Sequence, residues 1–165
     1  MSAAQSLLLL TPAVPLLLAL ASLGLRRPVR WLPWAALPGL ACALAAQGTA
    51  VGLPRAVVGA SLGPDATGAV FLGLCALLWT LAGLYAQGYL AGKPRERSFC
   101  AFWNLTLAGN LGVCLAADVI SFYVFFSAMS LAAYVLVTHD REPGSLRAGR
   151  IYMALALFGE MALLL

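Results

Sequence analysis

The sequence has little charge, which excludes an ordinary soluble domain. Only 10% of its 165 residues are charged and 62% are hydrophobic, whereas soluble domains carry about 25% charged residues. The formal net charge of +4 does not indicate nucleic-acid binding, because the basic residues flank apolar runs and are not interleaved with solvated polar sequence. We therefore expect an integral membrane chain whose first partner is the lipid bilayer.

Motifs for bond chemistry are also missing. The sequence contains no CxxC pair, no HExxH metal motif and no Gly-rich phosphate loop, and it leaves no soluble stretch large enough for an active site. Cys42, Cys75, Cys100 and Cys114 lie in or beside apolar runs, where cysteine ordinarily serves as a small buried hydrophobe. We expect no catalytic, metal or cofactor site in the chain itself.

The charge that is present lies mostly in three short basic clusters. Nine of the ten Lys and Arg residues belong to them: Arg26, Arg27 and Arg30; Lys93, Arg95 and Arg97; Arg141, Arg147 and Arg150. Lys and Arg collect on the cytoplasmic side of short loops. An outside N-terminus therefore puts all three clusters inside.

The apolar runs between these clusters predict an all-α, polytopic transmembrane helix bundle. A span takes about 20 residues, and we predict a single membrane domain over residues 1–165 with about six spans and the N-terminus outside. The predicted spans are residues 6–25, 31–51, 69–90, 98–117, 119–137 and 151–165. The run from 98 to 137 is too long for one crossing, so we divide it at its only charge, Asp118, where we expect a tight turn.

The sixth predicted span is short. Residues 151–165 rise about 22 Å, less than a hydrocarbon core of roughly 30 Å. We expect this span to be truncated and the chain to be the N-terminal part of a longer subunit or a truncated gene product.

Glu160 is the most informative polar residue in the predicted spans. It lies nine residues beyond Ile151, about 13 to 15 Å deep, where an unpaired carboxylate is strongly disfavoured. No Lys or Arg falls within a predicted span, so a cationic partner must come from another segment or subunit. Ser127 lies at a similar depth on the preceding antiparallel helix and is a candidate partner in a proton relay. The alternative is a neutral Glu that only hydrogen-bonds within a helix interface.

Four further residues are weaker candidates. Ser130 could extend a relay, although serine in a span often only joins helices by hydrogen bonds. His139 ends the fifth span on the basic side, where an imidazole can titrate near physiological pH. We expect structural roles for Asp65, as the N-cap of the third span, and for Asp118.

The stretch from Asp118 to Val137, DVISFYVFFSAMSLAAYVLV, resembles the proton-conducting antiporter-like membrane subunits. Such subunits occur in complex I, in membrane-bound hydrogenases of the hydrogenase-4 component B kind and in Mrp-type cation/proton antiporters. Weaker similarity extends through residues 84–90, the Gly63-Pro64-Asp65 turn, residues 147–152 and Gly159-Glu160. The resemblance covers the chain from about residue 60 onward.

The resemblance implies proton translocation through a longer subunit built from inverted repeats, with Glu, Lys and His carrying the protons. The complex would be NADH-quinone oxidoreductase, a membrane-bound hydrogenase or an Mrp-type antiporter. The implied partners are other membrane subunits and protons, with sodium as a second candidate ion. The implied location is the inner (plasma) membrane of the cell. The alternative is a non-conducting structural or assembly subunit.

One position departs from the family pattern. The family's acid on the fifth helix usually follows the aromatic pair, and the residue after Phe125-Phe126 is Ser127. Either the proton site has moved to Glu160 on the next helix, or this chain has lost the fifth-helix step and conducts poorly or not at all.

Overall fold

The computed structural model describes residues 3–45, 51–52, 61–90 and 93–164. Within these residues it contains the helices α1 (Ala3–Ser22), α2 (Leu37–Ala45), α3 (Ala66–Leu90), α4 (Glu96–Leu115), α5 (Val119–Val137) and α6 (Pro143–Leu164). Two 3-10 helices, Pro28–Trp31 and Pro33–Ala36, precede α2. The two-residue strands β1 (Val51–Gly52) and β2 (Ser61–Leu62) pair antiparallel. The predicted all-α, polytopic helical bundle is confirmed.

Helix α4 lies at the centre of the bundle. Helices α1, α3 and α5 pack against it. In its apolar 18-residue stretch, 56% of the residues are buried, compared with 17–28% in the corresponding stretches of those three helices. Among the residues that the structure describes, these four helices are long and apolar enough to cross a membrane. The predicted span 119–137 has the same bounds as α5, and the predicted bounds of the first, third and fourth spans lie within three residues of the observed helices.

The prediction of one regular span over residues 31–51 is wrong. The chain forms the two 3-10 helices and then the nine-residue helix α2, and Val51 lies in β1. Pro28 and Pro33 are the first residues of the two 3-10 helices and Pro38 is the second residue of α2. A helix start is the position that tolerates a missing backbone N–H, so each proline marks the beginning of a new short helix. Residues 46–50 of the predicted span lie outside the described residues.

The helix that contains the predicted sixth span, residues 151–165, begins before residue 151. Helix α6 begins at Pro143 and contains 22 residues, or about 33 Å of rise. Proline suits a first helical position because its fixed φ is helical and its missing N–H would be unsatisfied there. The helix includes Arg147 and Arg150 as well as Glu160. Residues 143–150 therefore add about two helical turns before the predicted span.

Contacts between turns bring the three basic clusters to one end of the bundle. Gln87 Nε2, near the end of α3, donates a hydrogen bond to the carbonyl oxygen of Arg30 at 2.9 Å. The guanidinium of Arg95 donates to the carbonyl oxygen of His139 at 3.3 Å. We call this end of the bundle the basic end. The predicted orientation places all three clusters inside, and it therefore requires them to lie at the same end.

At the opposite end, the Asp118 side chain joins a loop to the turn between α4 and α5. Its carboxylate accepts hydrogen bonds from the Ser121 hydroxyl at 2.6 Å, the Ser121 N–H at 2.8 Å and the Ser61 hydroxyl at 2.7 Å. Backbone hydrogen bonds from Gly63 to the end of α4 and from Ala117 to Ser61 continue the link. The Ser121 donors, followed by those of Ser61, hold the pKa of Asp118 well below its usual range.

Gly109 and Gly112 let α4 and α5 approach closely. A Cβ on Gly109 would lie 2.8 Å from both the Met129 backbone nitrogen and the Phe125 carbonyl oxygen, and a Cβ on Gly112 would overlap the Phe125 ring. Small residues commonly permit such approaches between membrane helices. By contrast, a Cβ on Gly88 would meet nothing within 4 Å.

Replacing Gly109 by Ala should destabilise the bundle, because the added methyl group meets backbone atoms that move only if α4 and α5 separate. Overpacking of this kind costs about 1–3 kcal/mol, which a lower thermal midpoint in detergent would report. Gly88→Ala, which adds its methyl group in open space, is the matched control. Equal midpoints for the two variants would contradict the close contact.

The stability that Asp118 contributes should be lost in acid. Its pKa in the folded chain lies below the unfolded value of about 3.9, so the contribution is present above that value and disappears as the pH falls. We expect Asp118→Asn to lower the thermal midpoint near neutral pH and to lose less stability on acidification than the wild type. Asp140→Asn, at an exposed position, is the control. Identical pH profiles for Asp118→Asn and the wild type would refute the role.

Candidate functional site

A buried carboxyl group lies between α5 and α6. Glu160 is only 7% exposed, and no other acidic residue that the structure describes is buried. Its Oε2 accepts a hydrogen bond from the Ser127 hydroxyl at 3.2 Å. The sequence predicted that these two residues lie at similar depths on antiparallel helices and could form a relay. In the structure they are in contact.

The residue spacing of α6 turns Glu160 toward α5. Gly149, Tyr152, Ala156 and Glu160 follow one another at intervals of three or four residues, so they share one face of the helix. All four are buried or half-buried, whereas Phe158 on another face is 74% exposed. The face that contains Glu160 packs against α5. Most residues on the other faces of α6 are apolar and exposed.

A second polar pair lies closer to the basic end. Ser130 is 3% exposed and lies close enough to the side chain of Tyr152 to interact with it. Tyr152 is absent from the predicted site residues. Its spacing of eight residues from Glu160, about two helical turns, was the signal that could have placed both on one face.

The other predicted candidates lie away from this group. His139 follows α5 at the basic end and meets Phe99 edge-on, with the ring centroids 5.2 Å apart. Asp65 and Asp118 lie at the opposite end, where Asp65 Oδ1 accepts a hydrogen bond from the Gly68 N–H at 2.5 Å. That contact has the geometry of an N-cap for α3.

A carboxyl group beside a hydroxyl has the groups that proton exchange requires. A carboxyl group takes up and releases a proton, and a hydroxyl can accept one hydrogen bond while it donates another. An ionised carboxylate in such apolar surroundings requires a cation or several donors. Ser127 supplies one donor, so a charged Glu160 would need a further partner.

These features define a polytopic α-helical membrane protein with a buried acid between two neighbouring helices. Residues 116–165 match the family described as NADH:quinone oxidoreductase/Mrp antiporter, transmembrane. The resemblance to antiporter-like subunits is therefore confirmed, and this closing part of the chain carries the family's sequence pattern.

Two curated relatives support the match. NADH-quinone oxidoreductase subunit N of Desulforudis audaxviator (strain MP104C) is 46% identical over 69 residues, which cover 41% of this chain and 13% of that protein. Na(+)/H(+) antiporter subunit A1 of Staphylococcus aureus (strain JH9) is 29% identical over 101 residues, which cover 61% of this chain and 13% of that protein. The matched regions thus span about an eighth of each relative.

A solved structure supports the fold over nearly the whole chain. It is that of the membrane-bound sulfane sulfur reductase, an archaeal respiratory membrane complex, one chain of which matches with a TM-score of 0.73 at 17% identity. The match covers 96% of this chain and 34% of that chain. The helix arrangement is therefore shared with a subunit of a larger membrane assembly.

The Glu160–Ser127 hydrogen bond should be visible by infrared difference spectroscopy of the protein in membranes. A protonated carboxyl group has a C=O stretch separate from that of a carboxylate, and its frequency rises when a hydrogen bond to it is lost. We expect Ser127→Ala to shift this band upward and Glu160→Gln to remove it. The hydroxyl of Ser145 donates to the carbonyl oxygen of Glu142, just before α6, so Ser145→Ala should leave the band unmoved. A band unaffected by Ser127→Ala would argue against the contact.

Proposed function

We propose that this chain is part of a proton-translocating, antiporter-like membrane subunit. The complex would be a redox-linked one, such as NADH-quinone oxidoreductase or a membrane-bound hydrogenase, or an Mrp-type cation/proton antiporter. The buried Glu160–Ser127 pair carries the proposal, and the names of the two curated relatives support it. Its partners would be other membrane subunits and protons, with sodium as a second candidate ion, in the plasma membrane.

The depth of Glu160 suits a site near the middle of the membrane. Arg150 is the last basic residue of α6, and Glu160 lies ten residues further along the helix. That separation is about 15 Å, half of a hydrocarbon core of roughly 30 Å. A proton bound at Glu160 would therefore be equally far from both surfaces.

In the proposed mechanism, Glu160 holds a proton as a neutral carboxyl group and Ser127 fixes its orientation. The approach of a cation favours the ionised form, so a Lys on another segment or subunit would drive release of the proton. Ser130 and Tyr152 extend the polar group toward the basic end and are candidates for proton entry. His139 lies further along, at that end. The subunit would move charge and would make or break no covalent bond between heavy atoms.

The second candidate function is a non-conducting structural or assembly subunit. Ser127 favours it, because this serine stands where the resemblance places an acid. In that case Glu160 would be a neutral side chain whose hydrogen bond only ties α6 to α5. The two functions predict different effects on proton flux when Glu160 is replaced by a residue of the same shape that carries no acid.

We expect Glu160→Gln in the full-length, assembled protein to reduce proton flux about 100-fold, near the lower end of what a positioned proton-transfer group contributes. Glutamine keeps the shape and a hydrogen-bonding oxygen but cannot exchange a proton. Flux would be measured in sealed vesicles with a pH-sensitive dye, and assembly by the mass of the purified complex. Glu142→Gln, an exposed acid between α5 and α6, should leave flux unchanged. Normal flux from assembled Glu160→Gln protein would sink the proposal and favour the structural role.

A further inference from the structure

Two cysteines that are distant in sequence meet between α3 and α4. The Cys75 thiol donates a hydrogen bond to Oδ1 of Asn110 at 2.7 Å, and its side chain lies close enough to that of Cys114 to interact with it. Asn110 and Cys114 lie one turn apart on the same face of α4. Both cysteines are free and half-buried, whereas Cys42 and Cys100 are fully buried. The pair is therefore more than two separate space-filling side chains.

Of the two cysteines, Cys114 lines a cavity of about 610 Å³ at the end of the bundle opposite the basic clusters. Asp65, Gly68 and Ala117 also line this cavity, which places it between the start of α3 and the turn after α4. Cys75 is not part of the lining, so a small molecule in the cavity meets Cys114 first.

We propose that Cys75 and Cys114 are an oxidisable pair, which a small water-soluble disulfide converts into a cross-link between α3 and α4. Cys114 loses its proton to water and attacks one sulfur of the disulfide RSSR, which forms a mixed disulfide and releases RS⁻. Cys75 then loses its proton and attacks the Cys114 sulfur, which releases the second RS⁻. The two RS⁻ ions take up two protons. The protein thiols are oxidised, and RSSR is reduced to two RSH.

The cross-link would act on the end of the bundle that Asp65 and Asp118 organise. It would join α3, whose start Asp65 caps, to the end of α4, where the Asp118 link is made. The pair lies on helices other than the two that hold Glu160, so this inference does not rest on the proposed proton site.

The test uses the full-length protein in sealed native membranes treated with oxidised glutathione, followed by alkylation of the remaining thiols and mass spectrometry. We expect Cys75 and Cys114 to escape alkylation, and the peptides that contain them to be joined with the loss of two hydrogens. Dithiothreitol should reverse the link. Cys42 and Cys100 should be unchanged by the treatment and serve as internal controls.

Two variants test the order of the steps. Cys75→Ser should leave Cys114 as a stable glutathione adduct, and Cys114→Ser should leave Cys75 unmodified. Free Cys75 and Cys114 after treatment of the wild type would overturn the proposal, as would a glutathione adduct on Cys114 beside a free Cys75. The decisive reading is made on the unaltered sequence, so it does not depend on how the variants fold. Cross-linking in the Glu160→Gln protein separates this result from the fate of the proton proposal.

Discussion

The absence of water inside a bilayer is the constraint on which this structure depends. Every polar group there must find a partner within protein or cost several kcal/mol. Thr11 and Thr106 meet the demand locally, since their hydroxyls donate to carbonyl oxygens four residues earlier at 2.8 Å. Asn104 meets it in part: its amide nitrogen donates to the carbonyl oxygen of Cys100 at 3.0 Å, whereas its buried Oδ1 has no partner among the described residues. The Glu160 carboxyl group finds its partner on another helix, since its Oε2 accepts a hydrogen bond from the Ser127 hydroxyl of α5 at 3.2 Å.

The same constraint makes the two ends of the bundle different. At the basic end, Arg95 donates to a backbone carbonyl and the Lys93 ammonium lies 3.3 Å from the centroid of the Tyr89 ring. These are neutral partners, so they leave the positive charge uncompensated and able to attract anionic lipid. At the opposite end, the Asp118 carboxylate accepts hydrogen bonds from the hydroxyls of Ser61 and Ser121 within the chain. The positive charges at the basic end are therefore available to the membrane surface, whereas the negative charge of Asp118 stabilises contacts within the chain.

Sequence reasoning predicted most helices because run length and charge are properties of the chain alone. It failed at α2, where prolines break an apolar run, and at α6, where Arg147 and Arg150 were assigned to a loop. Long basic side chains can extend from a helix toward the membrane surface, so a helix can begin among them. Depth along antiparallel helices also predicted that Ser127 and Glu160 would lie near each other, and the structure has them in contact.

The contacts that could not be predicted are lateral ones. Whether Cys75 meets Cys114, or Tyr152 meets Ser130, depends on how each helix is rotated about its axis and on which helices are neighbours. Hydropathy gives neither quantity, because apolar side chains cover these helices on all faces. The glycines of α4 set one of these rotations, since α5 can approach only on the side where Gly109 and Gly112 leave room.

Ser127 and Glu160 are best understood together. Two carboxyl groups about 3 Å apart cannot both ionise, because each disfavours the charge of the other. An acid at position 127 would put a second carboxyl group beside Glu160, whose Oε2 lies 3.2 Å from the Ser127 hydroxyl. A serine there removes the repulsion and supplies a donor in its place. The carboxyl group of α6 thus reaches the space beside the fifth-helix position to which the family resemblance assigns an acid. Under the proposed function, the substitution at Ser127 is the condition that lets Glu160 serve as the proton site.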